Sequence, residues 1–153
     1  MNNSFLTEAV KITKVADAAT AATSDVTGTG VDMQGWDGVV FLTSYGTAAA
    51  DNLIHAEESS DDAATDAYTD IAGSEVDLSG ASDEDQFLDI MRHGSGGTAR
   101  YIRVVAQRGT SSTCGDIWAL QYRGREVPFA ASPNLTSGTI YGKRVLSPIA
   151  GTK

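Results

Sequence analysis

Apolar and polar residues alternate along much of this chain with a period of two, the pattern of strands whose successive side chains project to opposite faces. The clearest case is Tyr101-Ile102-Arg103-Val104-Val105-Ala106-Gln107. Tyr68-Thr69-Asp70-Ile71 and Glu75-Val76-Asp77-Leu78 alternate over shorter lengths and read as half-buried strands or edges. Val39-Val40-Phe41-Leu42-Thr43 is apolar at successive positions instead, which predicts a central strand covered on both faces. Val10 to Val15, Leu53 to Glu57 and Gln86 to Arg92 add further strands, with short ones around Val31 and Met33. Cys114 to Tyr122 is predicted to pair with 101–107 as an antiparallel hairpin across the Gly109-to-Thr113 loop. His93-Gly94-Ser95-Gly96-Gly97-Thr98 and Gly35-Trp36-Asp37-Gly38 read as turns. Ala16 to Ser24 is rich in alanine but has no apolar stripe at helical spacing, so it reads as a loop. Short strands separated by turns, without helices between them, predict an all-β antiparallel sandwich or barrel.

After Tyr122 the pattern changes. Pro128, Pro133 and Pro148 interrupt any regular ladder, and Val127, Phe129, Leu135, Ile140, Val145, Leu146 and Ile149 appear mostly singly among polar residues. We therefore expect a sandwich domain over 1–127 and an extended C-terminal arm over 128–153. Fully extended, that arm reaches up to about 85 Å. Its large apolar residues suit packing on a neighbour better than a frayed tail.

Composition agrees with a sheet protein: sixteen glycines, three prolines and many Thr and Ser residues. A single cysteine, Cys114, excludes a disulfide within the chain, so packing or partners must supply the stability. No apolar run approaches the roughly 20 residues of a membrane-spanning helix. The Met1-Asn2-Asn3-Ser4 start has no basic stretch or apolar core of a signal peptide, so folding is expected in a cytoplasm. The net charge of −9 argues against nucleic-acid binding. That charge is unevenly spread: residues 1–50 net −3, residues 51–89 net −13 with no Lys or Arg, and residues 90–153 net +7. Such a division either places complementary surfaces on one molecule, favouring contact between copies, or is cancelled when the fold interleaves the two blocks.

Catalytic chemistry finds little support. Cys114, His55 and His93 lack the local context of a thiol–imidazole pair, and Cys114 reads as a small buried hydrophobe. One Cys and two His offer no spaced zinc pair, so no metal or cofactor is expected. Glu57, Glu58, Asp61, Asp62, Asp66 and Asp70 supply oxygen ligands for calcium, but not in EF-hand order, and read as a solvated acidic connection. Gly94-Ser95-Gly96-Gly97 lacks the Lys-Ser/Thr and helix of a phosphate loop. Trp118, within an apolar strand, reads as core; Trp36, at a turn, is the better candidate for exposure, with structural packing the default reading of both.

Glu57-Glu58-Ser59-Ser60-Asp61-Asp62 followed by Tyr68-Thr69-Asp70-Ile71-Ala72 resembles a strand–acidic turn–strand unit of small structural proteins from tailed bacteriophages. Arg100-Tyr101-Ile102-Arg103-Val104-Val105 resembles a later strand of the same proteins, and the likeness covers roughly residues 31–122. It is a likeness of texture, without a signature motif. The resemblance implies a head decoration, or cement, protein: a jelly-roll-like β-sandwich, commonly trimeric, bound to the outer capsid surface. It implies the major capsid protein and further copies of the chain as partners, a virion location, and no catalytic residue, cofactor or membrane. The segment from Arg123 onward has no counterpart in it. From composition, Arg123, Arg125, Phe129, Lys143 and Arg144 are the expected partner-binding residues. A tail-tube, tail-completion or fibre-associated protein is the alternative, and a carbohydrate-binding sandwich using Trp36 a second one.

Overall fold

Strand propensity and period-two patterning produce fourteen described strands. The structure is a computed structural model that describes residues 9–46, 51–77, 85–92 and 99–123, and the backbone alone of 134–137 and 140–147. The strands are β1 (Val10–Ala16), β2 (Ala19–Ala22), β3 (Val26–Thr27), β4 (Val31–Asp32), β5 (Gly38–Ser44), β6 (Asn52–Ser59) and β7 (Thr69–Asp70). They continue with β8 (Val76–Asp77), β9 (Asp85–Arg92), β10 (Tyr101–Arg108), β11 (Ser112–Cys114), β12 (Ile117–Tyr122), β13 (Asn134–Ser137) and β14 (Ile140–Ser147). One sheet runs β1-β12-β5-β9-β14-β13. The second runs β3-β10-β6-β7, with β4 also on β10 and β8 also on β6, and β2 and β11 form a small ladder of their own. All pairings are antiparallel except β14 on β9.

The two sheets face each other across one core, giving the antiparallel β-sandwich that the alternation predicts. Val39 and Phe41 of β5, Leu88 and Ile90 of β9, and Ile117 and Ala119 of β12 point inward from the first sheet. Ile54 and Ala56 of β6 meet them with Ile102, Val104 and Ala106 of β10 from the second. Burying each of the larger side chains contributes about 1.5–3 kcal/mol. Tyr45, at the end of β5, is buried with its hydroxyl against the carbonyls of Leu53 (3.0 Å) and Gln107 (2.8 Å), which satisfies its polar end and ties the sheets. Arg108 is buried too, its guanidinium donating to the carbonyls of Ser24 (2.6 Å), Thr20 (2.7 Å) and Ser112 (3.0 Å). It thereby fastens the small β2–β11 ladder to the second sheet.

Three expectations are corrected. The predicted hairpin between 101–107 and 114–122 does not form: β10 pairs with β6, while β12 pairs with β1 and β5 in the other sheet. The connection carries β11, which pairs with β2, and Gly115 N donates to Ser44 O at 2.7 Å, so the chain changes sheets there. Ala16 to Ser24 is not all loop, since Ala19–Ala22 is a strand. Trp118 is not core: its neighbours Ile117 and Ala119 point inward, and parity turns the indole outward, 41% exposed. Of residues 128–153, expected as an arm, only the backbone of β13 and β14 is described; these strands pair with each other and, through β14, with β9. The rest of 128–153 and the Gly94–Gly97 turn lie outside the described residues.

Candidate functional site

The sandwich has two outer faces of opposite character. On the first sheet, the register sets Trp118 of β12 beside Leu42 of β5, and Leu42 beside Phe87 of β9. One step along, Ile12 of β1, Leu120 of β12 and Val40 of β5 form a second apolar row ending at Asp89 of β9. Ile12 is 49% exposed and Leu42 39%, so this is a solvent-facing apolar surface two rows deep. A depression of about 620 Å³ lies against it, lined by Val40, Leu42, Phe87 and Trp118, with Ser44, Asp85 and Asp116 at its rim. The hydroxyl of Tyr122 donates to Asp89 Oδ1 at 2.7 Å, holding that carboxylate at the border of the apolar rows. Contiguous exposed apolar area of this kind marks a contact surface, because solvating it costs free energy that docking recovers.

The second sheet's outer face is ionic. Arg103 of β10 donates from Nε to Glu57 Oε2 of β6 at 2.6 Å, and its guanidinium lies 3.9 Å from the centre of the Tyr68 ring. Tyr68 donates to Asp62 Oδ1, and burial together with Asp62 pushes its hydroxyl above the usual tyrosine range. His55, two residues before Glu57 and so on the same face, places Nε2 3.2 Å from Asp70 Oδ1 and 3.8 Å from Glu57 Oε1. Toward the end of the sheet, Arg100 and Asp32 form a two-pronged pair, Nε to Oδ1 at 2.8 Å and Nη2 to Oδ2 at 2.5 Å. The Arg100 hydrogen bond holds the Asp32 carboxyl down at about 2.

Among the described residues one printed ion pair joins the acidic and basic blocks, Glu57 with Arg103, while Asp32 of the first fifty residues pairs with Arg100. Of the predicted partner-binding residues, Arg123 is exposed, donates to Gly35 O at 3.0 Å and sits 5.5 Å from the centre of the Trp36 ring. Lys143 and Arg144 are placed by register only, on β14 across from Leu88 and Asp89. Arg125 and Phe129 lie outside the described residues, as does His93. Trp36, the better candidate for exposure at a turn, is half-buried and packed against the core, in keeping with the default reading of packing.

The candidate chemistry separates. Cys114 is buried, with its sulfur near Thr43 Oγ1 (3.6 Å), and burial pushes its thiol up, away from reactivity. In the acidic connection, Asp61 accepts from the backbone of Thr65 (2.7 Å) and Asp66 (3.0 Å) and from the Thr65 hydroxyl (2.5 Å), so its oxygens organise the loop. Sequence reasoning set His55 apart from Glu57 and Asp70, whereas pairing of β6 with β7 brings all three together. It also missed the apolar outer rows, since a strand apolar on both faces looks fully buried. Compared with family models the chain matches none, and no curated protein matches it.

Proposed function

We propose that this chain is a non-catalytic structural protein that docks on protein through the apolar outer face of its first sheet. The single observation that carries this reading is the solvent-facing cluster of Ile12, Leu42 and Trp118, continued by Phe87 and Val40 beside a depression able to receive a partner's anchor side chain. Aromatic and aliphatic anchors in such settings supply most of the attraction in protein interfaces, with surrounding polar groups fixing register. On the likeness of 57–72 and 100–105 to phage decoration proteins, the reading takes the partner to be the outer surface of a capsid, with copies of the chain assembled as trimers upon it. A jelly-roll-like connectivity and a virion location belong to the same reading. The carbohydrate alternative loses support, because Trp36 is packed inward and flanked by Arg123.

The test is cosedimentation with purified empty capsids, alongside a light-scattering mass of the free protein. Saturable binding that is lost in Trp118→Asp combined with Leu42→Asp, from a trimer in solution, is the expected result. Equal binding by the variant overturns the docking face; a hexameric ring that ignores capsids favours a tail component instead.

A further inference from the structure

The ionic face holds a group whose geometry the docking proposal does not use. His55, Glu57 and Asp70 each present one ligand-type atom, and the three atoms lie within 4.8 Å of one another. Two of the separations, 3.2 and 3.8 Å, bracket the roughly 3.3 Å edge of a tetrahedron built on zinc–ligand bonds of about 2.0–2.1 Å. The imidazole side chain is 9% exposed, and its Nδ1 is buried without a hydrogen-bond partner, so the ring's polar contacts are those of Nε2 with the two carboxylates. A buried histidine whose polar engagement is turned wholly toward two acids is a donor set of the nitrogen-and-oxygen kind that zinc accepts.

We propose that His55 Nε2, Glu57 Oε1 and Asp70 Oδ1 bind one Zn²⁺ ion, with water completing a tetrahedron. Arg103 acts as the orienting partner: by donating to Glu57 Oε2 it leaves Oε1 turned to the site. The ion serves as a clamp. Strand β7 meets β6 through only two residue pairs, Glu57 with Asp70 and Glu58 with Thr69, so a bond from Asp70 through metal to β6 secures the end of the 60–68 connection.

The experiment is calorimetric titration of ZnCl₂ into the chelator-treated full chain, with thermal melting and the visible absorption of a Co²⁺ complex as parallel readouts. Expected are one Zn²⁺ per chain, a raised melting temperature, and the intense Co²⁺ band of four-coordination. Affinity falls about tenfold or more in Asp70→Asn and in Glu57→Gln, and is unchanged in Asp37→Asn, an acid elsewhere on the surface. Asp70 is 32% exposed, so its isosteric replacement tests the site without removing a core side chain. Failure of the wild type to bind one ion saturably, or equal affinity in Asp70→Asn, overturns the proposal. Capsid binding is measured separately, so the two readings stand or fall independently.

Discussion

The two outer faces of the sandwich solve the same problem in opposite ways. Each sheet must cover an outward-facing row of side chains that the core does not use. The second sheet fills its row with charges matched across strands, Glu57 against Arg103 and Asp32 against Arg100, and so satisfies itself. The first fills its two outward rows with residues such as Ile12, Leu42 and Trp118 and leaves them in water. A face that completes its own contacts has little to gain from a partner; one with unspent apolar area has much.

The largest effect should come from converting the apolar face. Trp118→Asp with Leu42→Asp is expected to weaken capsid binding about a hundredfold, roughly 2.7 kcal/mol, while a chemical melt shows the fold intact. A comparable loss on replacing Arg103 would erase the contrast between the faces. Arg103→Met should instead leave binding unchanged and lower stability by about 1–2 kcal/mol in urea unfolding, because Glu57 loses a half-buried partner and Tyr68 its stacked cation. Reversing Arg123 and Arg125 to Glu should cost only a few-fold in affinity, expressed in the association rate and diminished by salt.

The smallest effect concerns pH. The Asp32 carboxyl is lowered in the folded chain from its ordinary 3.8 to about 2 by Arg100, so the pair stabilises the fold above the ordinary value. That contribution is lost as pH falls through the interval between the two values. The stability gap between wild type and Asp32→Asn should therefore be small at neutral pH, since the pair is exposed, and should close toward pH 2. Urea midpoints measured across that range provide the check.

How far the sequence reveals this architecture depends on whether a pattern has one reading. Tyr101 to Gln107 alternates cleanly, and β10 follows with Ile102, Val104 and Ala106 inward. In Ile117 to Tyr122 both faces are mainly apolar, so alternation cannot choose between them. Size favours burying Trp118, yet the fold buries the opposite parity, Ile117, Ala119 and Gln121, with the Gln121 amide donating to Asp32 O at 2.7 Å. His55 and Glu57 share a face by spacing alone, and that much was legible. Asp70 joins them through a ladder closed across the acidic connection, which no local pattern encodes. The choice of pairing partner for β12 was hidden for the same reason: neighbours in sequence make hairpins, and here a three-residue strand, β11, intervenes.

The pairing of β1 with β12 carries a consequence for the chain's birth. Val10 lies opposite Tyr122, so among the described strands β1 has no ladder to join until β12 has been synthesised. Long-range closures of this sort place such a protein among slow folders, on the order of milliseconds to seconds. During that wait the lysines of β1, Lys11 and Lys14, keep a lone strand from adhering to its unfinished siblings.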